Sequence, residues 1–128
     1  MSERLLVKEA RRRAEVFKNL PKHLKTILDT VRRIDENAEA YLFGSVAEER
    51  HVLSSDIDIL VVTERPPGKV LATLWERGIK EPFEVHVVSR EKLKIYARRA
   101  KLLRIDEYIR KAGEDSAENN RHNAKRES

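Results

Sequence analysis

The run Ile57-Asp58-Ile59-Leu60-Val61-Val62 constrains this chain more than any other stretch. Its β-branched and apolar content reads as a strand. Side chains alternate along a strand, so Ile57 and Ile59 point to the core while Asp56 and Asp58 share the opposite face. Two carboxylates side by side repel each other unless a cation lies between them. Oxygen ligands at that spacing suit Mg²⁺, which also takes ligands from substrate phosphates.

A second apolar run, Ala40-Tyr41-Leu42-Phe43, reads as a short buried strand that stops at Gly44. Without a Cβ, Gly44 lets the backbone approach a ligand closely. Ser45 adds a hydroxyl, and the next backbone N–H groups can open a helical turn that favours a phosphate. Ten residues separate Ser45 from Asp56. Either piece alone is ordinary, since Asp-x-Asp arises by chance in a chain with 22 acidic residues and Gly-Ser is a common turn. The conjunction of apolar strand, Gly-Ser, short loop and same-face Asp pair is what points to chemistry.

Around these strands the spacing predicts helices. Val7, Ala10, Ala14 and Phe17 mark one over residues 3–19, and Leu24, Ile27, Leu28, Val31 and Ile34 mark another after Pro21. Pro66-Pro67-Gly68 breaks the chain before a helix carrying Val70, Leu71, Leu74 and Trp75, which ends at Gly78. Phe83-Glu84-Val85-His86-Val87-Val88 is a third strand. Ser89 caps a final helical region through Leu93, Ala97, Leu102, Ile105 and Ile109 to Gly113. The expected fold is a small α/β (α+β) mixed sheet of three to four strands with helices packed on it. Residues 1–113 form one domain, and 114–128, with no apolar face, form a disordered tail.

With 128 residues, the chain has room for one core and not two. It has no cysteine, so disulfides and thiolate metal sites are excluded. The absence of glutamine, the single methionine and the abundant Lys, Arg and Glu lean towards a thermophilic source. No apolar run nears the roughly 18 residues needed to span a bilayer, and the N-terminus lacks a signal-peptide pattern, so the expected location is cytoplasmic. A net charge of +5 permits an anionic partner such as a nucleotide, RNA or an acidic protein face. Most of the basic residues are spread out and read as solvated helix surface.

The pattern Gly44-Ser45, ten residues, Asp56-x-Asp58 resembles the nucleotidyltransferase superfamily that includes DNA polymerase beta, above all its minimal, stand-alone prokaryotic members. Ser55 completes the Ser-Asp-Ile-Asp string of that family. The resemblance spans about residues 38–90. It implies a polymerase beta-like core in which Gly44 and Ser45 cradle the phosphates of ATP or another NTP, and Asp56 and Asp58 hold two Mg²⁺ ions. It also implies a third carboxylate on a neighbouring strand, for which Glu84 is the candidate. Relatives more often carry Asp there, and the other reading of Glu84 is a half-exposed strand residue near a solvent edge. His86, on the same face, is assigned no role.

Stand-alone relatives pair with small helical HEPN proteins, and some are antitoxins that adenylylate a tyrosine of that partner. The resemblance therefore implies AMP transfer to a HEPN toxin within a hetero-oligomer. Transfer to a small hydroxylated molecule and a degenerate module that neutralises its partner by contact are the alternatives. One departure favours the last. Minimal members often read Gly-Ser-Arg-Ala-Arg-Gly, whereas this chain has Gly44-Ser45-Val46-Ala47-Glu48-Glu49, without the two basic side chains and without the loop glycine.

Overall fold

The computed structural model of the protein describes residues 3–49 and 55–114. Helices α1 (Glu3–Lys18) and α2 (Leu20–Ile34) lead into strand β1 (Glu39–Phe43) and the single turn α3 (Gly44–Ala47). Strand β2 (Ile57–Val62), helix α4 (Pro67–Glu76) and strand β3 (Phe83–Val88) follow. Helix α5 (Arg90–Arg99), the two-residue strand β4 (Leu103–Arg104) and helix α6 over residues 105–114 complete it. Among the described residues no helix is long and apolar enough to cross a membrane.

Four strands form one mixed sheet in the order β3-β2-β1-β4. β1 is antiparallel to both β2 and β4, whereas β2 and β3 run parallel, joined by α4 as parallel strands require. The C-terminal end of β1 and the N-terminal ends of β2 and β3 therefore meet at one edge of the fold. Gly44, Asp58 and Glu84 gather there.

The main core fills one face of this sheet. Leu24, Ile27, Leu28 and Val31 recur at helical spacing on α2 and pack with Leu42 of β1, Ile57, Ile59 and Val61 of β2, and Val70 and Leu74 of α4. Pro21 sits in the first turn of α2, where its missing N–H costs nothing, and Asn19 alone separates α1 from α2. On the opposite face, Leu60, Val62 and Val88 form a smaller cluster with Tyr41, Phe43, Leu93, Tyr96 and Leu102. α5 thus packs on the second face.

One expectation is corrected here. The region from Ser89 to Gly113 is not a single helix. Ser89 caps α5 through Lys92 N–H at 3.3 Å, but Ala100 turns extended and Leu103 and Arg104 pair with Leu42 and Tyr41. The backbone of β1 would otherwise be a bare sheet edge, and pairing it outweighs two more helical residues. The helix then resumes at Ile105, which is fully buried. Gly113 does not stop it, since residues 113 and 114 are helical. The tail expected to be disordered lies, from residue 115 onward, outside the described residues.

Candidate active site

Register places the site. Asp58 stands opposite Phe43 of β1 on one side and opposite Glu84 of β3 on the other. Its odd-numbered neighbours Ile57 and Ile59 are fully buried in the main core, so its own side chain must project from the opposite face. Glu84 projects from the same face, as does His86 one pleat further along. One ligand atom from each of Asp58, Glu84 and His86 lies within 4.8 Å of the others. His86 Nε2 is 3.5 Å from Glu84 Oε1, and the imidazole stands edge-on to Phe43 with ring centroids 5.4 Å apart.

The turn after β1 closes this cluster from above. Gly44 has φ +73, the left-handed region, and a Cβ there would collide with Oδ2 of Asp58. Backbone and carboxylate approach so closely that only glycine fits both demands. Ser45 follows, half-buried, at the start of α3. Val46 and Ala47 then turn into the core, with Val46 only 7% exposed. The position that is basic in minimal relatives is thus an internal packing residue here. The turn ends at Glu49, whose φ of 58 is also left-handed.

The glycine that relatives carry at that point has a physical reason, and this chain does without it. Left-handed backbone costs a non-glycine residue about 1–2 kcal/mol, against about 0.5–1 kcal/mol of extra entropy loss for glycine. Glu49→Gly is therefore expected to raise the thermal midpoint by a few degrees. A lower midpoint in a melting experiment would refute the strain at Glu49.

Asp56 and Ser55 stand apart from the cluster. β2 begins at Ile57, so Asp56 lies just outside the ladder, with its side chain half exposed. Arg13 reaches over from α1: Nη2 lies 2.9 Å from Glu81 and 3.7 Å from Asp56, and Nη1 donates to the Ser55 carbonyl at 3.4 Å. Of the residues singled out in the sequence, the fold brings Gly44, Asp58 and Glu84 into direct proximity, Ser45 beside them, and Asp56 and Ser55 to the rim. It adds His86. Strand alternation already put His86 on the face of Glu84; what the sequence lacked was the register that sets both beside Asp58.

The electrostatics agree with a cation site. Burial pushes the Asp58 carboxyl above its ordinary value, and the charge of Glu84 and a hydrogen bond with it push further in the same direction. Asp56 adds to this, while His86 works against it. Crowded negative charge of this kind is what a divalent ion relieves. The donor set of carboxylate oxygens plus one imidazole fits such an ion, and the close approach at Gly44 leaves no side chain in its way.

Beside α3 lies a cavity of about 430 Å³ lined by Lys101, Arg104 and Lys111 together with Ala47, Glu49 and Tyr108. These cations come from the β4–α6 region and not from the turn itself. Arg104 is partly engaged by Asp106, at 3.2 Å from each carboxylate oxygen.

Comparison with known proteins follows the same lines. A solved structure from Sulfolobus solfataricus, provisionally assigned as a nucleotidyltransferase, has the same fold, with a TM-score of 0.53 at 24% identity over 72% of this chain and 84% of that one. Among curated proteins none matches. The family profile of the nucleotidyltransferase domain matches residues 24–115, a stretch that includes the whole sheet, the Gly44-Ser45 turn and both carboxylate strands. That match covers most of the chain, and the chain belongs to the nucleotidyltransferase domain family.

Proposed function

We propose that this chain is a cytoplasmic, metal-dependent nucleotidyltransferase that moves AMP from ATP to an acceptor hydroxyl on a small helical HEPN partner, as its antitoxin within a hetero-oligomer. The observation that carries the reading is the meeting of Gly44, Asp58 and Glu84 at one edge of the sheet, in a chain of this family.

Asp56, Asp58 and Glu84 would hold two Mg²⁺ ions, which when bound neutralise phosphate charge and ease deprotonation of the acceptor. Arg13 holds Asp56 only loosely, because their pair is long at 3.7 Å while Glu81 lies closer to the same nitrogen at 2.9 Å. Ser45 and the amides of α3 orient the β- and γ-phosphates, so that the α-phosphate faces the acceptor in line. The acceptor oxygen bonds to the α-phosphorus as its bond to the bridging oxygen breaks, and pyrophosphate leaves. Glu84 takes the acceptor proton.

Glu84→Gln is expected to cut single-turnover transfer by about 10²–10⁴-fold while ATP binding falls much less, since Asp56 and Asp58 still hold the nucleotide-bound ion. The acceptor is the co-purified HEPN partner, scored by the mass of one added AMP. Normal turnover in Glu84→Gln would remove this strand from the chemistry. The second reading, neutralisation by contact alone, is favoured by the burial of Val46 and the acidic Glu48. It predicts that the partner is silenced without ATP and without any mass change.

A further inference from the structure

Below the two carboxylates β3 sets a donor of a different kind. His86 pairs in register with Leu60, two residues beyond the Asp58–Glu84 pair, and its side chain is 36% exposed. Phe43 holds the ring edge-on, and Tyr96 of α5 in turn stands edge-on to Phe43 with centroids 5.8 Å apart. The imidazole is thus braced by a ring from β1, two strands away from its own. Its nitrogen belongs to the same 4.8 Å cluster as the oxygens of Asp58 and Glu84. Ligands of one small divalent ion, bound at about 2.1 Å, lie no more than about 4.2 Å apart, so the cluster stands within about an ångström of that limit.

A nitrogen donor changes which ion the cluster prefers. Mg²⁺ is hard and takes oxygen, whereas imidazole suits first-row transition ions. We infer that His86 is a nitrogen ligand which, with Asp58 and Glu84, makes this centre selective for a divalent transition ion of the Mn²⁺, Co²⁺ or Zn²⁺ class over Mg²⁺. The inference rests on the proposed reading of Asp58 and Glu84 as metal ligands, and it replaces Mg²⁺ by a softer ion at one of the two positions. Bracing by Phe43 fixes the ring plane, the part that second-layer contacts play at metal-bound histidines.

Metal binding without nucleotide tests this separately from catalysis. The full chain, stripped of metal, is titrated with Co²⁺ by visible absorption and with Mn²⁺ by electron paramagnetic resonance, with pulsed detection of ¹⁴N coupling. Mg²⁺ is measured by competition against Mn²⁺. Wild type is expected to bind Co²⁺ and Mn²⁺ with a nitrogen coupling. His86→Asn and His86→Gln should lose the coupling and weaken both ions by at least about tenfold, the least that loss of a supporting contact alone costs at such sites. Mg²⁺ should change much less. Using both variants guards against misfolding of one, with circular dichroism as the check. Wild-type binding without nitrogen coupling, or equal Mn²⁺ affinity in folded variants, overturns the inference while leaving the transferase reading intact. Nitrogen-coupled binding in a protein that transfers no nucleotide upholds the inference and sinks that reading. No binding to wild type at all overturns it.

Discussion

Asp58→Asn is expected to abolish nucleotidyl transfer and, without metal, to make the protein more stable at neutral pH. The loss of activity should be at least the about 10²–10⁴-fold associated with a single positioned acid–base group, because a ligand shared by the whole cluster disappears. The gain in stability follows from the raised pKa. Burial, then the charge of Glu84, hold the Asp58 carboxyl above its ordinary 3.8 in the folded state. The folded protein therefore binds this proton more tightly than the unfolded chain does. Stability falls as the pH rises from about 3.8 through the folded value, and the deficit persists above it. Asparagine carries no charge and avoids that deficit. Its advantage should be full at pH 7 and shrink as the pH falls towards 3.8. Adding a divalent ion reverses the ranking, since wild type gains stability by binding it and the variant does not; a ligand at 100 times its dissociation constant contributes about 2.7 kcal/mol. Thermal unfolding of both proteins across pH, with and without metal, checks each sign. A variant whose advantage grows on acidification would show that Asp58 is not strained by its neighbours.

Much of this arrangement was legible in the sequence, for reasons that can be named. α2 announces itself because Leu24, Ile27, Leu28 and Val31 repeat at the helical period, and all are buried. β2 and β3 announce themselves through β-branched runs between Pro and Gly breaks. Gly44 could be singled out as a point of close approach, although its neighbour in that approach, the Asp58 carboxylate, could not. What stayed hidden depends on contacts between distant segments. β4 is two residues long and sits inside a spacing that continues a helical pattern, so nothing local separates it from α5 and α6. Its existence is decided by the free edge of β1. Asp56 alternates correctly with Asp58, yet where β2 starts is set by pairing with Phe43 and Phe83, and Asp56 falls one residue short. The second apolar cluster under α5 is equally invisible, because Leu93 and Tyr96 read as an ordinary helix stripe until Leu60 and Val62 are found beneath them. For His86, the face was known from alternation and the partners were not.

The turn itself gives the sharpest test of the site's geometry. Gly44→Ala is expected to lower both stability and transfer, through two separable causes. The first is backbone: φ of +73 costs an alanine about 1–2 kcal/mol, which in a domain of this size is a drop of several degrees or more in the midpoint. The second is steric. The added methyl meets Asp58 Oδ2 and lies 3.3 Å from Cγ and 3.5 Å from Cβ of the same residue. The methyl cannot move, because α3 and β1 fix the backbone on either side, so the carboxylate must swing away from Glu84 and His86. Transfer should then fall by about 10²-fold, the loss expected when a reacting geometry is misplaced by roughly an ångström. Gly78 is the built-in control. It has φ +86, the same left-handed demand, and nothing within 4 Å of where its Cβ would be. Gly78→Ala should thus show the backbone cost alone and transfer normally. A double variant, Gly44→Ala with Asp58→Ala, isolates the steric part: against the Asp58→Ala background, Gly44→Ala should cost only what Gly78→Ala costs. Contacting pairs commonly show coupling of about 0.5–3 kcal/mol, so the difference is within reach of thermal or denaturant unfolding. Equal effects of Gly44→Ala and Gly78→Ala on both stability and transfer would mean that Gly44 and Asp58 do not touch, and the glycine turn would then owe its place to backbone conformation only.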